Sequence, residues 1–205
     1  PAFVYQLFGN GDAEKGSAVK WTTTPGEQAC KLEATEAEKA NGKYSIHVSE
    51  RKSLGAGPCQ DISGKLEEGK NYTVSGKIKY NDGADTRKFN VVIQNGPNYN
   101  YREALCTVEA KKGEWTKFTA TYKVHDKSEE FKFDPEKNFV FIETPPGSND
   151  LADFYLDDFS MTTPPENLIP NGSFEDGTVN PWVPFGGVTL SLGTEGREDE
   201  KSLSV

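Results

Sequence analysis

Residues 72–80 read Tyr72-Thr73-Val74-Ser75-Gly76-Lys77-Ile78-Lys79-Tyr80, and the alternation within them decides the fold. Tyr72, Val74, Ile78 and Tyr80 share one parity, while Thr73, Ser75, Lys77 and Lys79 share the other. In an extended strand successive side chains point to opposite faces, so this stretch has one apolar face and one wet face. That is the signature of an antiparallel sheet packed on a core from one side only.

The same period recurs downstream. Phe89, Val91 and Ile93 are expected to face the core, which turns Asn90, Val92 and Gln94 outward. Carrying the alternation into the following strand puts Ala104, Cys106 and Val108 inside and Tyr99, Tyr101 and Glu103 outside. Phe118, Ala120, Tyr122 and Val124 form another inner face, and Val140 with Ile142 a further one, leaving Phe139, Phe141 and Glu143 outward. With 20 Gly and 12 Pro to supply turns among 205 residues, and no long amphipathic helix pattern, the chain is predicted to be an all-β sandwich of short strands. An aromatic fraction of 11% excludes plain disorder.

An internal echo organises the chain. Asn10-Gly11-Asp12-Ala13-Glu14 recurs as Asn171-Gly172-Ser173-Phe174-Glu175, an offset of 161 residues (171 − 10), and Trp21 and Trp182 keep it. Lys43-Tyr44-Ser45-Ile46-His47-Val48 is echoed more loosely by Lys201-Ser202-Leu203-Ser204-Val205. Residues 1–161 are therefore read as one complete module, 162–168 as a polar, proline-bearing linker, and 169–205 as the truncated start of a second similar module.

Charge and composition narrow the function. A net charge of −9 with no basic stripe argues against nucleic acid. No apolar run approaches the roughly 20 residues of a membrane span. Cys30, Cys59 and Cys106 have no metal or redox spacing and are read as buried free thiols, with a Cys30–Cys59 disulfide as the alternative in an oxidising compartment. A carboxylate pair for glycoside hydrolysis, Glu143 with Glu103, Asp157 or Asp158, has nothing in the sequence to single it out. His47 and His125 lack a nearby nucleophile, so the chain is not expected to be an enzyme.

What remains is the outward face. A sugar ring has an apolar face of C–H bonds that stacks on an aromatic ring, and hydroxyls that need polar partners. Tyr99, Tyr101 and Phe141 would be the platforms, and Asn90, Gln94 and Glu143 the hydrogen-bonding groups, together tracking an extended uncharged polymer. The bland alternative is that these rings cover a sheet edge or pack under a loop. Glu14 near the amino terminus and Asp157-Asp158 in the last strand would meet if first and last strands pair, offering hard oxygens to calcium with backbone carbonyls around Lys43.

Asn171-Gly172-Ser173-Phe174-Glu175 followed by Trp182-Val183-Pro184-Phe185-Gly186 resembles the opening of family 22 carbohydrate-binding modules of xylanases. The first copy resembles it more loosely, through Gly42-Lys43-Tyr44-Ser45, Gly57-Pro58-Cys59-Gln60-Asp61, Trp115-Thr116, Glu143-Thr144-Pro145 and Phe154-Tyr155-Leu156-Asp157-Asp158. The resemblance implies a β-jelly-roll sandwich, a structural calcium held through Glu14 and Asp157, and a groove that binds xylan or xylo-oligosaccharides near Tyr101 and on Glu143. It implies a secreted module joined to catalytic and binding modules. Two groove groups of that family, an arginine and a tryptophan, correspond here to Pro25 and to Gly55 or Leu54. Tyr99, Phe131, Phe133, Phe139 and Phe141 are the rings that would replace them, and the rival expectation is a spacer module that kept the fold and lost the groove.

Overall fold

The computed structural model describes residues 5–95, 101–124, 133–163, 171, 174, 176–194 and 202–204. Tyr99, His125 and Phe131 lie outside these. Tyr5–Pro164 belong to one compact unit and the described residues after it to a second.

The first unit holds two five-stranded sheets whose pairings are all antiparallel. One contains, in spatial order, β1 (Thr22–Thr23), β4 (Pro58–Asp61), β9 (Asn138–Glu143), β6 (Thr86–Asn95) and β7 (Tyr101–Lys111). The other contains β2 (Lys31–Thr35), β3 (Ser45–Ser49), β10 (Phe154–Thr162), β5 (Asn71–Lys79) and β8 (Thr116–Lys123). No helix occurs among the described residues. The alternation read from residues 72–80 holds: Tyr72, Val74, Ile78 and Tyr80 are buried, and so are Phe89, Val91 and Ile93 from the opposing sheet. This is the expected sandwich.

Phe159 closes the core. Its ring lies 4.5 Å from Phe8, 5.7 Å from Trp21 and 6.1 Å from Phe118, centroid to centroid. It sits where the pairing of β10 with β5 slips between Asp157 and Ser160, and a bulge of this kind re-aims the side chain that it carries. The Phe159 N–H donates to the Gly11 carbonyl at 2.9 Å, and a Cβ on Gly11 would stand 1.8 Å from the Phe159 carbonyl oxygen. Gly11 is there because only hydrogen fits against that backbone.

The second unit repeats the amino-terminal turn in hydrogen bonds as well as in sequence. Asn10 Nδ2 donates to the carbonyls of Ser17 and Val19, and Asn171 Nδ2 to those of Thr178 and Asn180. The Trp21 indole N–H donates to the Asn10 carbonyl at 2.8 Å, and the Trp182 indole to that of Asn171 at 3.3 Å. A short hairpin follows, β11 (Ser191–Gly193) with β12 (Ser202–Ser204). In the first copy Thr22 pairs with Cys59, and Thr24 is buried and bonded to Gly57; their counterparts Val183 and Phe185 are exposed.

Gly11→Ala is expected to destabilise the first unit by about 1–3 kcal/mol or more, because the added methyl meets main chain that cannot step aside. Gly113→Ala, at a φ of 79° with nothing within 4 Å, should bear only the left-handed backbone penalty of about 1–2 kcal/mol. Urea midpoints of the two variants compare them directly.

Candidate functional site

The outer face of the β1-β4-β9-β6-β7 sheet is built in three rows by its register. Thr22, Cys59, Phe141, Val92 and Ala104 lie side by side across the strands. Next to them run Asp61, Phe139, Gln94 and Arg102, and on the other side Glu143, Asn90 and Thr107. With strands about 4.8 Å apart, each row crosses the sheet as a short track. Cys59, Val92, Phe139 and Phe141 form an apolar cluster of their own, on the face opposite the main core. The Phe139 and Phe141 rings are 5.8 Å apart.

The structure therefore brings Asn90, Gln94, Phe141 and Glu143 onto one face. Tyr101 is not among them, which corrects the sequence expectation. The pairing of β6 with β7 slips between Val91 and Val92, where Cys106 is opposite Val91 but Ala104 is opposite Val92. One extra residue in β7 reverses the parity of everything before it. Tyr101 then lies opposite Asn95 and Glu103 opposite Ile93, on the core side, while Ala104 and Arg102 turn outward. Asn95 is buried and donates to the Tyr122 hydroxyl at 2.7 Å. The Tyr101 hydroxyl donates to Glu103 at 2.5 Å, and burial first, then that carboxylate, pushes the phenol's pKa up. Nothing in the sequence marks the bulge. Strict alternation is the only rule available there, and it fails at one residue.

Arg102 is the side chain on this face that the sequence reading missed. Its guanidinium donates to Glu143 Oε1 and lies 5.8 Å above the centre of the Phe141 ring. Glu143 is also approached by Asn90 Nδ2 at 3.5 Å, and Asn90 Oδ1 accepts from the Thr107 hydroxyl at 2.9 Å. The result is a polar chain along one edge of an aromatic patch. The groups that meet here differ sharply in exposure, with Arg102 at 41%, Glu143 at 3% and the Phe141 ring at 2%. The aromatic platform expected to be open is on the right face but covered.

Arg51 fixes the end of this face. It is buried, and its guanidinium donates to the carbonyls of Ala56, Leu54, Ala152 and Asp150 and to the Thr144 hydroxyl, with the Phe154 ring 5.4 Å away. Burial lowers its pKa to about 10. Carbonyl dipoles rather than a carboxylate hold this cation, and through it the 52–57 and 144–152 loops are tied together beside Glu143.

Glu14 and Asp157 converge on a single turn from two sides. Glu14 Oε1 accepts from the backbone N–H groups of Lys43 and Tyr44 at 2.8 and 2.9 Å. Asp157 Oδ2 accepts from Ala40 and Asn41 at 2.8 and 3.1 Å, and Oδ1 from Asp158 at 2.7 Å. Asp157 is only 1% exposed, and burial raises its pKa against those three N–H groups. Among the described residues no group of three or more His, Cys, Asp or Glu side chains is placed to hold a metal. The pair fits calcium in kind, as hard oxygens, with carbonyls and water needed for the other positions. Asp158 is otherwise engaged, by Lys77 at 2.8 Å and Asn41 at 2.5 Å. Cys30, Cys59 and Cys106 are free thiols, and burial pushes Cys59 up to about 12.

A family model described as a carbohydrate binding domain matches residues 5–138. The chain belongs to that family. It is a non-catalytic binding module, and the match covers the strands that build the ring-bearing face except β9 and its Phe139, Phe141 and Glu143. Among curated proteins it is 25% identical over 190 residues to an endo-1,4-beta-xylanase A of Thermoanaerobacterium saccharolyticum, covering 88% of this chain and 15% of that protein. It is 24% identical over 179 residues to the exoglucanase XynX of Acetivibrio thermocellus, covering 84% of this chain and again 15% of the relative. The chain thus spans a small fraction of the length of these relatives. In fold it is similar to the CBM22-2 xylan-binding domain of Paenibacillus barcinonensis Xyn10C, with a TM-score of 0.64 and 22% identity over 79% of this chain and 99% of that one. The CBM22-1–CBM22-2 tandem of the same protein matches 99% of this chain and 61% of its own, with a TM-score of 0.64 and 18% identity.

Arg51→Met is expected to destabilise the module by about 2–5 kcal/mol, since it removes the guanidinium donors from the Ala56 and Ala152 carbonyls, while those of Leu54 and Asp150 keep bonds from Thr144. Arg51→Lys should recover only part of this, because one ammonium cannot span the same carbonyls. Thermal melts of both variants test the order.

Proposed function

We propose that the module binds xylan or xylo-oligosaccharides on the Phe139–Phe141–Glu143 face and holds an attached glycanase, a xylanase, on its polymer outside the cell. The observation that carries this reading is the register that sets two aromatic rings beside Gln94, Asn90 and Glu143 in parallel rows. Rings supply stacking for the C–H face of a pyranose, and the amides and carboxylate supply its hydroxyls with partners. The similarity to modules whose names specify xylan binding, and to xylanases, supports the choice of glycan. Appended modules would raise local enzyme concentration through weak, repeated binding. The tail after Pro164 is read as the opening of a second such module, on the strength of the repeated Asn–Trp turn.

Calorimetry with xylohexaose tests the binding reading. Phe141→Ala should weaken binding by about 1–3 kcal/mol as loss of a central anchor, and Glu143→Gln by about 1.5–3 kcal/mol through a lost charge-assisted hydrogen bond. Tyr101→Ala should leave affinity unchanged, because its ring is on the other side of the sheet. A spacer module without a ligand is the second reading, favoured by the burial of Phe139 and Phe141. Failure of the wild type to bind xylan, mannan or mixed-linkage glucan would select it.

A structural calcium, held by Glu14 and Asp157 with the 40–43 backbone, belongs to the same proposal. Bound there, it would supply the positive charge that the buried Asp157 lacks. Melting temperature should rise from EDTA to excess calcium at neutral pH by mass action. The difference should shrink as pH falls through the carboxylate range, where protons compete for the ligands. Equal midpoints at pH 7 would argue against the site.

A further inference from the structure

A ring that is 2% exposed cannot stack a sugar as it stands, and a carboxylate that is 3% exposed cannot receive a hydroxyl. Both are engaged by one side chain. Arg102 donates to Glu143 Oε1 and places its guanidinium over Phe141, yet it is itself 41% exposed. These two contacts have the same form as those a pyranose would make. A flat group lies on the ring, and a hydrogen-bond donor reaches the carboxylate.

We propose that Arg102 is a displaceable latch, a built-in competitor that occupies the glycan's place on Phe141 and Glu143 and sets which sugars are accepted. The latch presupposes that this face is the glycan-binding one. In the free protein Glu143 needs a partner, because a buried carboxylate without one is strongly disfavoured. Arg102 provides it. On binding, a sugar hydroxyl replaces the guanidinium N–H on Glu143, and the C–H face of the ring replaces the cation over Phe141. Arg102 has water within reach when it leaves, since its side chain is already 41% exposed. Selectivity follows from the exchange. A ligand that offers an apolar face without a hydroxyl edge, or the edge without the face, replaces only one of the two contacts and leaves the other to the arginine. An unsubstituted β-linked pyranose chain carries both on every unit.

The sign of one substitution separates a competitor from a contact residue. The apparent affinity of a site that is open only part of the time is reduced by the open fraction, so removing the latch raises it. Xylohexaose titrated into Arg102→Ala should bind about three- to tenfold tighter than into the wild type, with Arg102→Gln, which keeps a donor for Glu143 but no cation over Phe141, in between. Binding by the wild type together with equal or weaker binding by Arg102→Ala overturns the latch and leaves the face standing. Binding by the wild type that Phe141→Ala does not weaken overturns the face, and the latch with it, as does absence of binding by both wild type and Arg102→Ala. Binding by Arg102→Ala alone supports a latch that is shut. Should the variants fail to fold, the wild type decides. Saturation with xylohexaose should move the Arg102 side-chain NMR signals towards those of free arginine, and signals that stay put overturn the proposal.

Discussion

Everything in the first unit hangs on how Phe159 is held. Its ring meets Phe8 and Trp21 from the amino-terminal segment and Phe118 from β8, while its backbone N–H is bonded to Gly11. One residue thus joins the start of the module to its last strand and seals the apolar interior between the sheets. Burying three aromatic neighbours around a fourth contributes through both area and ring geometry. The arrangement tolerates no side chain at Gly11, so a backbone contact and an aromatic cluster depend on each other.

Once the sheets are locked by that core, their outer faces are decided by parity alone. A bulge in β7 is then the most consequential irregularity in the module, because it exchanges Tyr101 for Arg102 on the ring-bearing face. An aromatic platform is replaced by a cation, and the cation settles on Phe141 and Glu143. The chemistry of the face follows from a single unpaired residue in a ladder of hydrogen bonds.

Buried charge is handled in three different ways. Arg51 is surrounded by carbonyl dipoles, Glu143 is matched by Arg102 and Asn90, and Asp157 accepts only backbone N–H groups. Backbone donors compensate a carboxylate incompletely, which is why burial still dominates the Asp157 shift. That residue, more than the surface acids around it, is where added positive charge would be felt.

The alternation in residues 72–80, 89–94 and 138–143 and the turn residues between them determined a two-sheet sandwich, its core and the outward placement of Asn90, Gln94, Phe141 and Glu143. These follow from sequence because a strand has a fixed period of two and an apolar face must be buried. The repeated Asn–Trp turn was legible for a similar reason, since its hydrogen bonds all lie within eleven residues. Tertiary structure alone decided that Tyr101 faces the core, that Arg102 reaches Glu143, and that Phe141 is covered. A bulge shifts register without changing composition, and a contact between strands more than forty residues apart in the chain depends on that register. Parity can be counted along one strand, but whether it survives to the next is set by pairing across the sheet.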